Sequence, residues 1–441
     1  MRIVHLGLGA FHRAHQAWFT AHARDSERWG IAAFTGRARS AGDDLVAALR
    51  RQDCRYTLTV RGADADQVEV MESIVEVHSI ADFATFLARV AAPATAIITV
   101  TVTESAYRID SSGALLDDPD VRHDLAALNS GSGAPITPLA VLAAGLDARR
   151  RAGGGPLAIV PCDNVPHNGE FVRDGLRNFA SAASTDLWPW IEANVSFVST
   201  SVDRITPRAT PLGRDVLEAD ATRDAVPVVT EPFASWVLSG DFPAGRPSWE
   251  DAGATFVEDI APYEDRKLWL LNGAHTALAN LGPARGHATV ADATQDPTCR
   301  DIVEGWWSEA IRHLPAEVDA ASYCRELWKR FENPRILHAL AQIAEDSLAK
   351  IRVRVVPVAK REIAAGRSAA GAAAIVGAWA QAMLEGRGAR DALHDEIEDA
   401  IATSDPVAAL VALVDASLGA QSGFIGLVRR ASTAPAERAH Q

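Results

Sequence analysis

The sequence predicts an α/β protein of two domains: a doubly wound, mainly parallel sheet domain over residues 1–258, then a mainly α-helical domain over residues 259–441. Three observations carry this. The chain has 441 residues, more than the roughly 250–300 at which a single core usually stops growing. Short β-branched runs alternate with helical stretches through the first half, the pattern of parallel strands joined by helical crossovers. Residues 243–253 are rich in Gly, Pro, Trp and acidic side chains, and beyond Ile260 strand-like runs give way to Ala- and Leu-rich helical periodicity.

Taken in order, strands are expected at 3–6, 30–34, 67–77, 96–103, 157–161 and 194–198, with helices at 80–90 and 169–179. Gly and Pro mark loops or helix boundaries at 129–138 and 153–156. In the second half, helices are expected at 268–281, 301–313, 323–331, 334–351, 369–384 and 406–418. The last has Asp405 as N-cap and Pro406 at the first helical position, where a missing N–H costs nothing.

Apolar residues make up 48% and charged residues 23%, a globular balance. The net charge of −14 excludes the basic footprint that nucleic acid or an anionic membrane surface requires. The small-residue run 369–380 is too short to span a bilayer. Cys54, Cys162, Cys299 and Cys324 form no metal-spaced pair, and Met1 leads directly into a strand without room for a signal peptide. Reduced thiols and a cytoplasmic protein are expected.

Gly7 and Gly9 follow the first apolar strand and precede a helix beginning at Ala10 and Phe11. That is the setting of a dinucleotide-binding turn, in which one glycine permits the bend and the next lets backbone approach a pyrophosphate. His12 stands where a third glycine belongs, so an ordinary strand-to-helix turn is an equal reading. Where an acid is sought for the ribose hydroxyls, Arg37 and Arg39 occur instead, suited to a 2′-phosphate or to a solvated loop. Glu104, at the end of a buried-looking strand, either borders a nicotinamide pocket or is a solvated strand-end acid.

In the helical half, Lys267, Asn272 and His275 are interspersed with leucines. At about 100° per residue, Asn272 lies about 140° and His275 about 80° from Lys267, a broad arc of one helix. The bare pattern suits a surface lysine, a packing asparagine and a core histidine at least as well as a site.

The string Gly7-Leu8-Gly9-Ala10-Phe11-His12-Arg13-Ala14-His15-Gln16 closely resembles the GxGxFHRAHQ signature of the long-chain mannitol dehydrogenase family. That family includes mannitol 2-dehydrogenases, arabinitol dehydrogenases and the reductases of fructuronate and tagaturonate. Further blocks follow in family order. They are Asp163-Asn164 within a CDNxPxNG-like segment, Val202-Asp203-Arg204-Ile205-Thr206-Pro207, the LLNGxH stretch ending at His275, Arg330-Phe331-Glu332-Asn333-Pro334, and 346–350, which resembles DGSxK.

The resemblance implies a Rossmann-type N-terminal domain and a helical domain like the C-terminal part of 6-phosphogluconate dehydrogenase. It implies NAD as cofactor, with NADP the alternative, and no catalytic metal; His12 and His15 are then hydrogen-bonded structural residues. Lys267 would be the general base, Asn164 and Asn272 the amides gripping the reacting oxygen, and His275 an orienting group. Asp203 and Lys350 would contact substrate.

Four residues before Asp346, where mannitol 2-dehydrogenases carry arginine, this chain has Gln342, as fructuronate reductases do, while 272–276 and 350–357 read more like tagaturonate reductases. The first reading is therefore a metal-free dehydrogenase of open-chain polyols of the mannitol or arabinitol type. The alternative is a hexonate dehydrogenase acting on mannonate or altronate. A third reading is a non-catalytic dinucleotide-binding protein. The family includes monomers as well as larger forms, and no heptad or exposed apolar stripe in the sequence decides between them.

Overall fold

A computed structural model of the chain describes residues 2–36, 40–110, 113–130, 133–183, 186–207 and 224–432. The chain divides into two compact units, Met1–Ala261 and Pro262–Gln441.

The strands of the first unit are β1 (Ile3–Leu6), β2 (Ile31–Phe34), β3 (Tyr56–Arg61), β4 (Asp66–Met71), β5 (Ile74–His78), β6 (Ile97–Val100), β7 (Leu157–Pro161), β8 (Val195–Phe197), β9 (Ser199–Asp203), β10 (Val228–Thr230), β11 (Ser235–Ser239) and β12 (Thr255–Phe256). Six of them form one sheet in the order β5-β2-β1-β6-β7-β8, every pairing parallel. Strand order reverses between β1 and β6, so the crevice past their carboxyl ends is the place where a doubly wound sheet takes a ligand.

The central strands β1, β2, β6 and β7 are buried on both faces, and the two-residue period sorts their side chains into two cores. Ile3, Ile31, Ala33 and Ile97 pack with Ala17, Phe19, Val46 and Leu49. Val4, Ala32, Phe34 and Ile98 pack with Phe86, Val90, Leu142 and Leu176. Helices thus cover both sides, as the alternating sequence pattern predicts. Two three-stranded sheets, β10-β3-β4 and β12-β11-β9, complete the unit.

One correction concerns the expected strand 67–77. It is two strands: β4 pairs antiparallel with β3, and after Glu72 and Ser73 the chain enters β5 of the main sheet. β3, in which Thr57 and Thr59 break the apolar run, escaped the sequence reading altogether.

In the second unit, helix Gly273–Leu281 is buried at eight of its nine residues. It packs against helices Pro297–Ala310, Leu340–Ala344 and Ala370–Leu384. The expected helix 334–351 is instead a loop followed by Leu340–Ala344 and Ser347–Arg354, interrupted at Asp346, whose φ is +53°. The helix expected at 406–418 starts as predicted, with Asp405 accepting the Ala408 N–H at 3.3 Å, but ends at Val414. Among the described residues, no helix is long and apolar enough to cross a membrane.

Candidate active site

At the end of β1 the backbone turns sharply: the N–H groups of Gly7 and Leu8 both donate to the Phe34 carbonyl, at 2.9 and 2.8 Å. Gly7 has φ +115°, and a Cβ there would lie 2.0 Å from the Thr101 carbonyl oxygen, so only glycine fits. Gly9 differs. Its backbone is extended (φ −147°), and an added Cβ would meet nothing nearer than the Gly7 oxygen at 3.6 Å. The space above Gly9 is therefore unclaimed by the fold, which is what close approach of a pyrophosphate requires.

A crevice of about 210 Å³ adjoins this turn, lined by Gly7, Leu8, Gly36, Thr101, Val102 and Thr103 among others. A second crevice of about 390 Å³ shares Ala106 and Pro138 with it and extends past Ile80 and Arg108. Their linings include residues just past the carboxyl ends of β1, β5 and β6, where a doubly wound sheet takes its ligand. Ala10 and Phe11, both partly buried, open the helix after the turn. Glu104 is exposed at the start of a short turn after β6 and is not among the residues lining either crevice. Arg37 lies outside the described residues.

The rest of the FHRAHQ motif is buried and structural. The His15 Nε2 is 2.9 Å from the Ser235 carbonyl, and the Gln16 amide is 3.1 Å from the His15 Nδ1. Arg13 donates to the carbonyls of Gly9 and Val226. The His12 ring stacks on His5 with centroids 3.3 Å apart. Burial keeps both imidazoles neutral, His5 at a pKa of about 3 and His12 well below the usual range.

Among the described residues, the group with metal-like spacing is His287, Asp296 and Cys299. Asp296 is already committed there. It accepts from Arg285 at 2.6 Å, lies 3.0 Å from His287 Nε2, and caps helix Pro297–Ala310 through the N–H groups of Thr298 and Cys299.

After β7, the CDN segment divides its labour. Asp163 is buried, accepting the Tyr107 hydroxyl and the Val165 N–H, and burial raises its pKa to about 6. Asn168 ties the segment to β9: its amide donates to the Thr200 carbonyl at 3.0 Å and accepts the Thr200 N–H at 2.8 Å. Asn164, between them, is left exposed at the carboxyl end of the sheet. Asp203 is buried at the end of β9, beside the buried Arg204, which bonds the carbonyls of Ala14 and Glu231.

The helical unit holds Lys267, Asn272 and His275, and here the structure corrects the helical-wheel estimate. Residues Lys267–Asn272 form a π-helical turn between two α-helical segments, with the Gly273 N–H reaching back to the Leu268 carbonyl. An i→i+5 ladder brings residue i+5 round toward residue i, one turn along. At roughly 4.4 residues per turn in such a ladder, Asn272 lies about 50° from Lys267 rather than about 140° from it.

Such a turn leaves carbonyls without their usual i+4 donors. Two neighbouring tryptophans satisfy them: the Trp306 indole donates to the Trp269 oxygen at 2.7 Å and the Trp307 indole to the Leu270 oxygen at 2.9 Å. A Cβ on Gly273 would come within 2.5 Å of the Trp306 Nε1, which accounts for glycine after Asn272. Arg266, read in the sequence as a charge beside Lys267, packs over the Tyr263 and Tyr323 rings and donates to the Val318 carbonyl.

His275 is buried against Phe331, with His338 edge-on, each ring centroid 4.8 Å away. Burial, reinforced by His338, Arg330 and Arg354, holds it neutral. Lys350 donates to the carbonyls of Ile343 and Glu345, closing the end of helix Leu340–Ala344, on which Gln342 is exposed. The structure thus groups Lys267, Asn272 and His275 on one continuous helical run and places the Lys350 amine at the end of the short helix that carries Gln342. Sequence reasoning missed Trp306, Trp307, His338, Tyr107 and Arg354. The Trp-Trp pair was the one visible signal among them.

A parallel sheet with its glycine turn at the switch point, joined to a helical unit carrying lysine, asparagine and histidine on one run, defines an oxidoreductase of the Rossmann class. The chain belongs to the mannitol dehydrogenase family: residues 1–251 match the mannitol dehydrogenase Rossmann domain and residues 259–434 the mannitol dehydrogenase C-terminal domain. It is 35% identical over 379 residues to D-mannonate oxidoreductase of Escherichia coli K12, covering 83% of this chain and 76% of that one. It is also 35% identical over 395 residues to D-arabinitol 4-dehydrogenase of Ralstonia nicotianae, covering 87% and 83%. The structure of Pseudomonas fluorescens mannitol 2-dehydrogenase in ternary complex with NAD and D-mannitol superposes with a TM-score of 0.85 at 31% identity, covering 98% of this chain and 91% of that one.

Proposed function

We propose that the chain catalyses the reversible oxidation of a secondary hydroxyl on an open-chain polyhydroxylated substrate, a polyol or its sugar acid, with NAD as acceptor. The π-helical turn that carries both Lys267 and Asn272, backed by buried Leu270 and Leu271, is the observation that carries this reading. Gly7, Gly9, Ala10 and Phe11 would hold the pyrophosphate, and the complex of the Pseudomonas relative with NAD supports that cofactor. NADP is the alternative that Arg37 would favour.

When bound, the nicotinamide supplies the acceptor for hydride from the reacting carbon. Lys267, in its neutral form, takes the hydroxyl proton. The side-chain amides of Asn272 and Asn164 donate to the oxygen as negative charge develops on it. His275, kept neutral by its surroundings, orients the hydroxyl through a single ring nitrogen. Asp203 in the first unit, and Gln342 and Lys350 in the second, are assigned to the remaining hydroxyls. No metal enters the scheme.

The test measures NADH formation from mannitol, arabinitol, sorbitol, mannonate and altronate, together with NAD affinity by fluorescence titration. Lys267→Ala is expected to lower kcat by about 10²- to 10⁴-fold while NAD affinity holds. Unchanged rates with weakened cofactor binding would refute the lysine's role. An intact protein that binds NAD yet oxidises nothing on an extended panel would favour the binding-protein reading.

A further inference from the structure

The buried arginines of this chain are compensated in different ways. Arg149 spends its guanidinium on the carbonyls of Val90, Ala92, Thr95, Gly155 and Pro156. Arg13 bonds two carbonyls and feels Asp224; Arg204 bonds two and feels Glu231.

Arg354, the last residue of helix Ser347–Arg354, is partly buried and is compensated differently. Its Nη1 donates to the Asn272 carbonyl at 3.3 Å and the Thr276 hydroxyl at 3.0 Å, both neutral. Its Nε lies out of solvent without a partner, and none of the ion pairs among the described residues includes it. Burial pulls its pKa down to about 10, with no carboxylate acting against the shift. A desolvated guanidinium without a counter-ion is costly. Lys350 is a second cation close enough to feel Arg354.

The geometry points to Arg354 as the carboxylate-binding residue of the substrate site, which makes an open-chain sugar acid, an aldonate, the substrate class. This rests on the dehydrogenase reading above. Arg354, Thr276 and Asn272 form one hydrogen-bonded group, because the Thr276 hydroxyl also donates to the Asn272 carbonyl at 2.9 Å. One helical turn, about 5.4 Å, is the span of an extended chain of about four carbon–carbon bonds of roughly 1.5 Å each. A substrate whose reacting hydroxyl meets Lys267 and Asn272 therefore carries a terminal carboxylate as far as the next turn. The Nε edge of a guanidinium receives a carboxylate through two parallel bonds, a geometry that a neutral hydroxymethyl end does not match.

The experiment compares the wild type with Arg354→Gln and Arg354→Lys on D-mannonate, D-altronate, D-mannitol, D-arabinitol and mannitol 1-phosphate, with NAD. The wild type is expected to prefer a hexonate over either polyol. Arg354→Gln should lower the hexonate-to-polyol ratio of kcat/KM by about 10- to 100-fold, through KM, with partial recovery in Arg354→Lys. If Arg354 only braces Asn272, both substrate classes lose the same factor and the ratio stays put, which overturns the assignment. So does a wild type that prefers polyols or the phosphate. Silence on every substrate sinks the dehydrogenase reading instead. Calorimetric titration with the hexonates then decides on Arg354, since binding lost in Arg354→Gln supports the site and equal binding refutes it.

Discussion

An alanine Cβ at Gly7 would lie 2.0 Å from a backbone oxygen, in a residue already at φ +115°. Neither strain can relax without moving β6, so Gly7→Ala should cost about 3 kcal/mol or more and lower the thermal midpoint by several degrees. Gly9→Ala makes a sharper test, because its backbone is extended and its surroundings are open. We expect an unchanged midpoint within about 2 °C but NAD affinity weakened at least about tenfold, as the new methyl occupies the approach of the pyrophosphate. Equal NAD affinity in Gly9→Ala would place the phosphates elsewhere. At this scale the sequence was informative where chemistry is local: a glycine pair after a strand is legible as a turn. It was silent where partners are distant. Asp163, Asn164 and Asn168 look alike in a row, and only the contacts with Tyr107 and Thr200 separate two buried anchors from one exposed amide. Arg354 stood within the stretch 350–357 that reads like tagaturonate reductases, but its own setting, without an ion-pair partner among the described residues, was not legible there.

Helical periodicity found the run that holds Lys267, Asn272 and His275 but assumed a regular ladder. The π turn depends on donors from another helix, Trp306 and Trp307, more than thirty residues away, and no window of local sequence contains that information. The breaks at 72–73 and at Asp346 were missed on similar grounds, since pairing of β4 with β3 and a left-handed residue fixed by tertiary contacts override local periodicity. The element-scale prediction follows from the two indoles. Trp306→Phe and Trp307→Phe keep the ring but remove the N–H; the first takes the indole donor from the buried Trp269 carbonyl at a cost of about 1–3 kcal/mol, and the second costs less because the Leu270 carbonyl also accepts the Gly273 N–H. With that support gone the turn can regularise, carrying Asn272 farther round the helix from Lys267, so kcat should fall while KM for NAD holds. Gly273→Ala should do the same by pushing the Trp306 ring away, because the clash at 2.5 Å is with the donor atom itself. Stability measured by urea titration and kcat measured in parallel check both statements. Phenylalanine variants with wild-type stability would show that these hydrogen bonds do not hold the turn.

Across the whole molecule, the two-part architecture was readable from length, alternation and the composition shift near residue 258, whereas the strand order was not, because alternation implies parallel pairing without saying which strand lies beside which. That order brings His5 against Thr99 on β6 and sets Asp163 beside Tyr107, creating buried titratable groups whose effects on stability oppose each other. His5 keeps a pKa of about 3 in the fold against 6.5 in the unfolded chain, so its contribution is complete above pH 6.5 and is lost as pH falls toward 3, by as much as about 5 kcal/mol. Asp163 has the reverse sign. Its pKa of about 6, raised from 3.8, means that the fold favours the protonated acid; that contribution is complete below pH 3.8 and is lost as pH rises through 6, by about 3 kcal/mol. Between about pH 4 and 6 the two slopes partly cancel, and below that range only the histidine term remains. Asp163→Asn isolates the carboxyl. Its stability relative to the wild type, measured by urea titration, should improve by about 3 kcal/mol between pH 4 and pH 7.5, because the variant carries no buried charge at the higher pH. A difference that is the same at both pH values would mean that Asp163 does not titrate differently in the folded and unfolded chain, and that Tyr107 and Val165 stabilise its carboxylate enough to offset burial.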